Sequence, residues 1–372
     1  MKKKKLFLNS YKNIKYFFFK LFYGKIKKII IAKKNKKINT EKIYINNLIS
    51  YNLYNIPNGR LYSDTTNDTA FILNKSLVKE PSFQFRYKKN SQIINGSINE
   101  NFVLKKGTPN LLKKIDGNIF SLLTGGAGKT NYWHWLFDVL PRIGILEKSS
   151  YKHKPNYYLL PSTSKKYQTQ SLQELKISPA NLIDGEKNKH IMCKNLITVD
   201  HPINFKNNPS KSILDIPLWL IIWLRKKYIK TKYTKINTCK NFFISRESDS
   251  NLSSRKIINN KKLKKYLFSL GFKSIILSNL SFKNQVKMFN NANFIIGLHG
   301  AGFANMVFCK PRTKIIEITS HEGGNAISNL AKKCKLNYKK IIEKNITTKL
   351  QFQNAHILVD INKLKKIIFS FK

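Results

Sequence analysis

The amino-acid sequence predicts an α/β protein built from parallel sheets. From about residue 118 onward, short apolar runs alternate with helical stretches, a pattern typical of parallel strands joined by helices. Runs such as NFFIS and NFIIGL are largely apolar, as expected for strands covered on both faces. The alternation lapses near residues 205–235 and resumes at about 240, so the 372 residues predict two domains.

Four segments follow from this pattern. We expect a basic leader at residues 1–40, an N-terminal α/β domain at 41–215 and a C-terminal α/β domain at 216–345. A strand and helix extension fills residues 346–372. No internal sequence repeat accompanies the two blocks.

The first block has a poorly patterned beginning and a clear second half. The Asn-rich residues 41–115 offer only short strand-like runs such as FQFRY. The stretch NYWHWLFDVLPRIGILEK then has apolar positions at helical spacing, and Thr130 or Asn131 can cap its start. The other predicted elements are the strands NIFSLL, NYYLLP and KNLITVD and the helix SKKYQTQSLQELK.

The second block alternates more regularly. A helix NKKLKKYLFSLG ends at Gly271, and a helix SFKNQVKMFNNA has Ser281 as its expected cap. The predicted strands are NFFIS, FKSIIL, NFIIGL, TKIIEI and YKKII, with further helices FANMVFCK and NAISNLAKKCK. Between the blocks, IPLWLIIWLRKKY is too short to span a membrane and predicts a buried or connecting helix.

The formal net charge of +50 and the pI of about 10.1 raise the question of anionic partners. Lysines are scattered along the chain among abundant Asn and Ile, which indicates that A/T-rich codons explain much of the charge. Nucleic-acid binding would rest on charge alone, because no zinc pattern or RNA-recognition motif is present. The four cysteines lack metal-ligand spacing and fit a reducing compartment.

The leader contains lysines that interrupt every apolar run. This argues against a signal peptide and against a spanning helix. Phenylalanine and tyrosine interleaved with lysine fit a helix lying on an anionic membrane surface. A basic, partly helical leader that contacts nothing fits the pattern equally well.

The stretch TGGAGKT ends like a nucleotide-binding P-loop. Gly128, Lys129 and Thr130 fit the end of that motif, but its first glycine would have to stand at Leu123. Gly125 and Gly126 are too close to Gly128 to close the same loop. The spacing therefore argues against a P-loop ATPase or GTPase.

A second glycine-containing stretch carries a stronger signal. The apolar strand before His299 runs into Gly300, Ala301 and Gly302, and a helix is predicted to begin at once. Glycines let the backbone approach a ligand, and a helix start offers free N–H groups to a phosphate. Glu317, at the end of the next strand, is suited to ribose hydroxyls. A structural histidine in a plain tight turn is the alternative.

Arginines stand at selected points of a lysine-dominated chain. Arg246 directly follows the strand NFFIS, and Arg255 follows a polar loop. The carboxyl end of a strand is where open α/β sheets bind ligands, and arginine offers phosphate a two-pronged contact that lysine cannot. Solvent-exposed arginines are the simpler alternative.

His134 and Asp138 are four residues apart in the predicted helix. They therefore share a face and form a pair able to handle a proton. They would hold a metal only with a third ligand, and none is visible in the sequence. Alternatively, Asp138 pairs with Arg142 and His134 packs among aromatic residues.

Together these stretches resemble glycosyltransferase family 61. The resemblance rests on NYWHWLFDVLPR, FFISR with a later RKIIN, LSFKNQVKMFNNANFIIGLHGAGFANMVF and KIIEI, and it covers about residues 118–340. It implies two facing Rossmann-like domains (the GT-B arrangement), with acceptor-side residues in the first and nucleotide-sugar binding in the second. It also implies an inverting transfer from a nucleotide sugar to a hydroxyl of a glycan or lipid-linked saccharide.

Under this resemblance the expected partners are a nucleotide sugar and a saccharide acceptor, without a specific nucleic acid, a metal or another cofactor. The basic leader adds an anionic membrane surface as a further expected partner. Polysaccharide, capsule or lipopolysaccharide synthesis at the inner face of the plasma membrane is the expected setting. Asp138 is the expected base, positioned with His134, and Asn131 and Arg142 lie on the acceptor side. The expected donor-binding residues are Arg246, Arg255, His299, Gly300, Ala301, Gly302, Asn305 and Glu317.

One position departs from the family pattern. Family members usually carry an acidic residue after the asparagine of the Arg-x-Ile-x-Asn motif, and here Asn260 follows Asn259. A non-catalytic homologue that only binds sugar nucleotides is therefore the alternative to an active transferase.

Overall fold

A computed structural model describes residues 2–64, 67–87, 93–123, 128–151, 154–203, 209, 213–230, 239–246, 255–320, 324–346 and 356–371, with side chains from residue 12 onward. Gly125 and Gly126 of the P-loop-like stretch lie outside these residues. The chain divides into two compact units, each described by itself. The N-terminal unit comprises Met1–Thr169 and Ile177–Ser212, and the C-terminal unit comprises Gln170–Lys176 and Ile213–Lys372.

The N-terminal unit contains an 11-stranded mixed sheet. Its main path runs β1-β6-β5-β4-β11-β8-β9-β10. Outside this path, β2 pairs with β3, β3 also pairs with β11, and β7 pairs with β6. The strands are β1 (Lys28–Ile30), β2 (Asn39–Tyr44), β3 (Ser50–Pro57), β4 (Arg60–Ser63), β5 (Asp68–Leu73), β6 (Ser76–Tyr87), β7 (Ile93–Asn95), β8 (Lys113–Ser121), β9 (Tyr157–Leu160), β10 (Leu182–Asp184) and β11 (His190–Val199).

The parallel part of this sheet matches the prediction, and the rest corrects it. β11, β8, β9 and β10 pair in parallel. Antiparallel pairs join β2 to β3, β4 to β5 and β5 to β6, so residues 41–115, where the sequence offered only short strand-like runs, make this sheet mixed instead of wholly parallel. A tight turn with Asn74 in the left-handed region connects β5 to β6, and short turns permit only antiparallel neighbours.

The C-terminal unit contains a five-stranded sheet in which every pairing is parallel. Its strands are β12 (Asn241–Ser245), β13 (Lys273–Ile276), β14 (Phe294–Leu298), β15 (Lys314–Ser320) and β16 (Asn337–Glu343). The spatial order β13-β12-β14-β15-β16 is a doubly wound order. It reverses direction between β12 and β14, which is the position where such sheets bind ligands.

The described helices lie between and beside these strands. They are α1 (Lys2–Tyr23), α2 (Phe102–Lys106), α3 (Tyr132–His134), α4 (Pro141–Leu146), α5 (Lys166–Glu174), α6 (Leu218–Tyr228), α7 (Asn260–Ser269), α8 (Phe282–Asn290), α9 (Ala326–Lys333) and α10 (Ile361–Phe369). The expected caps are present, since Ser281 accepts from the Asn284 N–H and Gly271 has a φ of +80°. Helix α6, predicted as a buried or connecting helix, buries Leu220 and Leu224 along one face and exposes Leu218 and Ile222 on the other.

Two predicted helices differ in detail. The stretch from Tyr132 to Leu146 is divided into α3, a π-helical turn at Trp135–Val139 and α4. The segment after the glycine loop, Ala301–Phe308, is a 3₁₀ helix. Apolar spacing alone does not separate these helix types, because each places residues three to five apart on a common face.

Each unit has its own apolar core. In the N-terminal unit, Tyr54, Ile56, Phe71 and Leu196 belong to one cluster. In the C-terminal unit, Leu263 on α7 packs in one cluster with strand residues including Phe243. These cores fix the strand ends from which the candidate functional residues emerge.

Helix α1 packs against the N-terminal unit through one face. The Tyr16 ring meets Phe102 edge-on at 6.2 Å, and the Tyr23 ring meets His190 at 4.9 Å. The Arg60 guanidinium lies 5.7 Å from the centre of the Tyr23 ring. A leader that contacts nothing is therefore wrong for this segment. Within the described ranges, no helix combines the length and the apolar character that crossing a membrane requires.

Candidate functional site

Two clusters of ionisable side chains emerge from this fold, one in each unit. The N-terminal cluster is built on the π-helical turn. Asn131 caps the preceding helix, with its side-chain oxygen accepting from the Trp133 N–H at 2.9 Å. The turn is closed by the Leu140 N–H, which donates to the Trp135 carbonyl at 3.1 Å. Such turns are frequent at functional sites.

The turn places an imidazole against a buried carboxylate. His134 Nδ1 lies 2.6 Å from Asp138 Oδ2, so the residue pair anticipated from sequence is formed. The Asp138 side chain is 6% exposed, whereas the His134 side chain is 25% exposed. Asp138 thus orients the ring through Nδ1, and His134 carries the more accessible part of the pair.

The second oxygen of this carboxylate is unusual. Asp138 Oδ1 is buried and has no hydrogen-bond partner in the part of the chain that the structure describes. Leaving a buried acceptor unsatisfied costs about 1–3 kcal/mol, and more when it is charged. Native proteins keep few such groups, and those that persist need an explanation such as catalysis or ligand binding.

Histidine and arginine side chains surround Asp138. His201 Nε2 lies 3.9 Å from Asp138 Oδ2. Arg142 is buried and donates from Nε to the Asp138 backbone carbonyl at 3.3 Å and from Nη1 to the Val199 carbonyl at 3.0 Å. Arg142 therefore contacts Asp138 through the main chain, unlike the side-chain ion pair weighed from the sequence. It also ties the turn to the end of β11.

The pKa values follow from this arrangement. Burial disfavours the charged form of Asp138, but His134, His201 and Arg142 outweigh it and lower the Asp138 pKa. Burial likewise opposes protonation of His134, and the Asp138 carboxylate overcomes it and raises the His134 pKa. Burial lowers the pKa of His201 to about 4 and that of Arg142 to about 10. The electrostatics therefore favour a charged His134–Asp138 pair beside a neutral His201.

Sequence reasoning did not find His201. It lies two residues beyond the carboxyl end of β11, the strand that pairs in parallel with β8. Its position just after a buried strand could have marked His201 as a candidate site residue. Although His201 is a third ligand-type side chain near the pair, no three His, Cys, Asp or Glu residues in the described ranges are placed to share a metal ion.

The C-terminal cluster lies at the carboxyl ends of β12 and β14. Arg246 directly follows β12, and His299 directly follows β14. These two strands flank the reversal in the strand order, so the sheet topology brings Arg246 and His299 together. Arg255 joins them, and Arg246 Nη1 and Arg255 Nη1 both donate to the His299 carbonyl, at 3.4 and 2.7 Å.

His299 is held from behind by a carboxylate. Its Nδ1 is hydrogen-bonded to Glu317 Oε1, and the hydroxyl of Tyr338 donates to Glu317 Oε2. The Glu317 side chain is fully buried, whereas 12% of the His299 side chain is exposed. Glu317 thus orients His299, and in this geometry both of its oxygens are engaged by protein groups instead of being open to ribose hydroxyls. Tyr338, which the sequence did not single out, completes the chain.

The two arginines border a small cavity. Arg246, Arg255, Asn260 and Leu298 are among the residues that line its volume of about 180 Å³. Whole-ligand pockets usually measure about 300–1,000 Å³, so this cavity suits a fragment such as a diphosphate. Burial and the adjacent Arg246 lower the Arg255 pKa to about 10, so Arg255 stays charged at neutral pH. An anion would relieve the repulsion between the two guanidinium groups.

The glycines of the loop leave room for neighbouring side chains. A Cβ at Gly300 would lie 3.3 Å from Arg246 Nη1, and one at Gly302 would lie 2.9 Å from Leu277 Cδ1. Gly300 is extended, with a φ of 170°, and neither glycine lies in the left-handed region. Ala301 starts the 3₁₀ helix, and buried Asn305 donates to Gln285 at 2.9 Å and to the Gly302 carbonyl at 3.3 Å. Asn305 therefore stabilises the loop through buried hydrogen bonds.

Comparison with known proteins agrees with these features. The family model described as Glycosyltransferase 61 matches residues 132–316. The matched segment contains His134 and Asp138 as well as Arg246, Arg255 and His299, and it stops one residue before Glu317. No curated protein matches the chain significantly. The chain belongs to glycosyltransferase family 61.

Proposed function

We propose that this protein is an inverting glycosyltransferase that moves a sugar from a nucleotide-sugar donor to a hydroxyl of a saccharide acceptor. Family membership supports glycosyltransferase activity in general. The observation that carries the donor assignment is the convergence of two arginines on the His299 loop at the strand-order reversal. That position combines fixed positive charge with backbone N–H groups.

In the proposed reaction the donor diphosphate lies against Arg246, Arg255 and the N–H groups at the start of the 3₁₀ helix. These donors stabilise the negative charge that develops as the bond between the sugar carbon and the diphosphate oxygen breaks. His299, oriented by Glu317 and Tyr338, donates a hydrogen bond to the same leaving group. Asn305 and the glycines keep the loop in position.

His134 is the proposed base, which modifies the expectation that Asp138 takes the proton. Asp138 holds His134 Nδ1, an arrangement that directs the other ring nitrogen toward a substrate. The acceptor hydroxyl loses its proton to His134 Nε2 while its oxygen forms the new bond to the sugar carbon. Asp138 stabilises the imidazolium that results. Asn131 and Arg142 fix the turn on the acceptor side.

The proposal places both clusters in one reaction because a single family match contains them. The GT-B arrangement of two facing domains belongs to the same proposal. A capsule, lipopolysaccharide or other surface polysaccharide would supply the acceptor. A non-catalytic, sugar-nucleotide-binding homologue is the second candidate, favoured by Asn260 lining the cavity where the family usually carries an acid.

A calorimetric screen of the purified chain tests the donor assignment, using UDP, GDP, CDP and their common sugars with ATP and GTP as controls. We expect one nucleoside diphosphate to bind preferentially, and we expect this binding to be lost in Arg255→Ala. Arg312→Ala, which removes an exposed arginine of the same unit, is the matched control and should bind normally. Equal, salt-sensitive binding of every nucleotide would refute the donor site.

Release of the nucleoside diphosphate in the presence of saccharide acceptors then separates the two candidates. Turnover that depends on acceptor supports the transferase. Tight, selective donor binding without turnover across an acceptor panel supports the non-catalytic homologue.

A further inference from the structure

Helix α1 presents a continuous apolar stripe to solvent. Ile14, Phe17, Phe18, Leu21 and Phe22 follow one another at spacings of three, one, three and one residues, which places them on one face of the helix. Each is between 51% and 77% exposed. Over these nine residues the stripe is about 12 Å long. Single exposed apolar residues are ordinary on protein surfaces, whereas a contiguous patch marks an interaction site.

The opposite face of the same helix is fixed to the protein. Besides the ring contacts of Tyr16 and Tyr23, the Arg60 Nη1 donates to the Tyr23 carbonyl at 3.3 Å and the Leu112 N–H donates to the Tyr23 hydroxyl at 3.0 Å. Packing the stripe against the domain would break these contacts. The stripe is therefore displayed outward by a helix that is anchored through its other face.

The charge around the stripe has one sign. The first 40 residues contain fourteen lysines and no acidic residue, the first acid being Glu41. Lys12, Lys25, Lys27 and Lys28 are exposed. An amphipathic helix with large apolar side chains on one face and lysines around it is the arrangement that binds an anionic bilayer interface.

We propose that the outer stripe of α1, with its surrounding lysines, docks this protein on the surface of an anionic lipid bilayer. The apolar side chains insert at the boundary between headgroups and acyl chains, and the lysines bind lipid phosphates. A nucleic acid would satisfy the lysines but leave the stripe in water. A second copy of the chain would satisfy the stripe but bring two lysine-rich surfaces together. The bilayer satisfies both features.

Vesicle flotation with the full chain tests this surface. Wild type should bind vesicles that contain phosphatidylglycerol and bind pure phosphatidylcholine vesicles much less. Phe17→Ser/Phe22→Ser should lower partitioning into the anionic vesicles by about tenfold or more, because two large apolar side chains lose their insertion. Rising salt should weaken wild-type binding through screening of the lysines.

Phe268→Ser/Phe369→Ser is the matched control, since it removes two phenylalanines that are equally exposed in the C-terminal unit. This control should partition like wild type. Equal losses in both double variants, unchanged binding of Phe17→Ser/Phe22→Ser, or no wild-type binding to anionic vesicles would each overturn the proposal. Duplex DNA binding that is retained while vesicle binding is absent would assign the lysines to nucleic acid. Circular dichroism checks that the variants stay folded.

Discussion

Each unit contains a histidine whose Nδ1 is bonded to a carboxylate, yet the two pairs are built differently. His134 and Asp138 come from one π-helical turn, and one carboxylate oxygen of Asp138 has no partner among the described residues. His299 directly follows β14, Glu317 lies within the neighbouring strand β15, and both Glu317 oxygens accept hydrogen bonds. The first carboxylate is surrounded by cationic and imidazole groups, whereas the second is bonded to a histidine whose backbone carbonyl accepts from two arginines.

This difference indicates separate tasks for the two histidines. A buried carboxylate with an unsatisfied oxygen is costly on its own, and this cost falls when its partner gains a proton and the positive charge attracts it. A carboxylate with every oxygen engaged fixes the orientation of its partner and does little else. In the proposed reaction, His134 accordingly takes the proton and His299 keeps a constant hydrogen bond toward the leaving group. The predictions below test this division of roles.

The largest effect is expected from removing the base. His134→Ala should lower the transfer rate by about 10²–10⁴-fold, the usual contribution of a positioned general base. Asp138→Asn should also lower it strongly, because the amide no longer stabilises the imidazolium. Donor affinity should stay near that of wild type in both variants. Initial rates and calorimetric donor binding, measured on the same preparations, provide the check.

His356→Ala is a useful control, since it replaces a histidine that belongs to neither cluster. It should leave the transfer rate close to wild type. Parallel losses of rate and donor affinity in His134→Ala would show that the N-terminal cluster is structural and not a proton acceptor.

The sequence indicated the residue types and strand ends but not all the partners. His134, Asp138, Arg246 and His299 were identified because local spacing and strand position carry information about neighbours. His201 and Tyr338 were missed because their contacts join segments 63 and 21 residues apart along the chain, which no local pattern encodes. The π-helical turn was missed since its apolar spacing resembles that of an α-helix. The antiparallel strands before residue 115 were missed because Asn-rich sequence hides their alternation.

A smaller effect is expected on donor binding. Arg255→Lys should weaken affinity for the nucleoside diphosphate by about 10–100-fold, since a hydrogen bond to a charged group contributes roughly 1.5–3 kcal/mol and lysine lacks the planar fork. The transfer rate at saturating donor should change less. Titration calorimetry and the dependence of rate on donor concentration measure the two quantities. A loss confined to the maximal rate would contradict this role.

Removing the hydroxyl of Tyr338 tests how Glu317 is held. Tyr338→Phe leaves one oxygen of a fully buried carboxylate without its donor, so the free energy of unfolding should fall by about 1–3 kcal/mol. Tyr266→Phe in the same unit is the matched control, because the Tyr266 hydroxyl has no hydrogen-bond partner in the described structure. Its removal should be neutral or slightly stabilising. Urea unfolding curves compare the two. Equal stability changes would show that the Tyr338 hydroxyl does not support Glu317.

The smallest effect is a displacement of the pH profile, and its direction separates the two histidines. A base must be neutral to accept a proton, and Asp138 raises the His134 pKa above its ordinary value of 6.5. The wild-type rate should therefore rise with pH through an inflection above 6.5. In Asp138→Asn the attraction is lost while the burial remains, so the residual activity should inflect at lower pH than wild type. The free energy of unfolding depends on pH through the same two groups. The stabilisation from His134 is fully present below pH 6.5 and is lost as pH rises through its folded-state pKa. The stabilisation from Asp138 is present above pH 3.8 and is lost as pH falls through its folded-state pKa. Profiles of kcat/KM measured on both proteins give the inflections. An unchanged inflection in Asp138→Asn would mean that the titrating base is a group other than His134, and the contrast between the two histidine–carboxylate pairs would then no longer assign their roles.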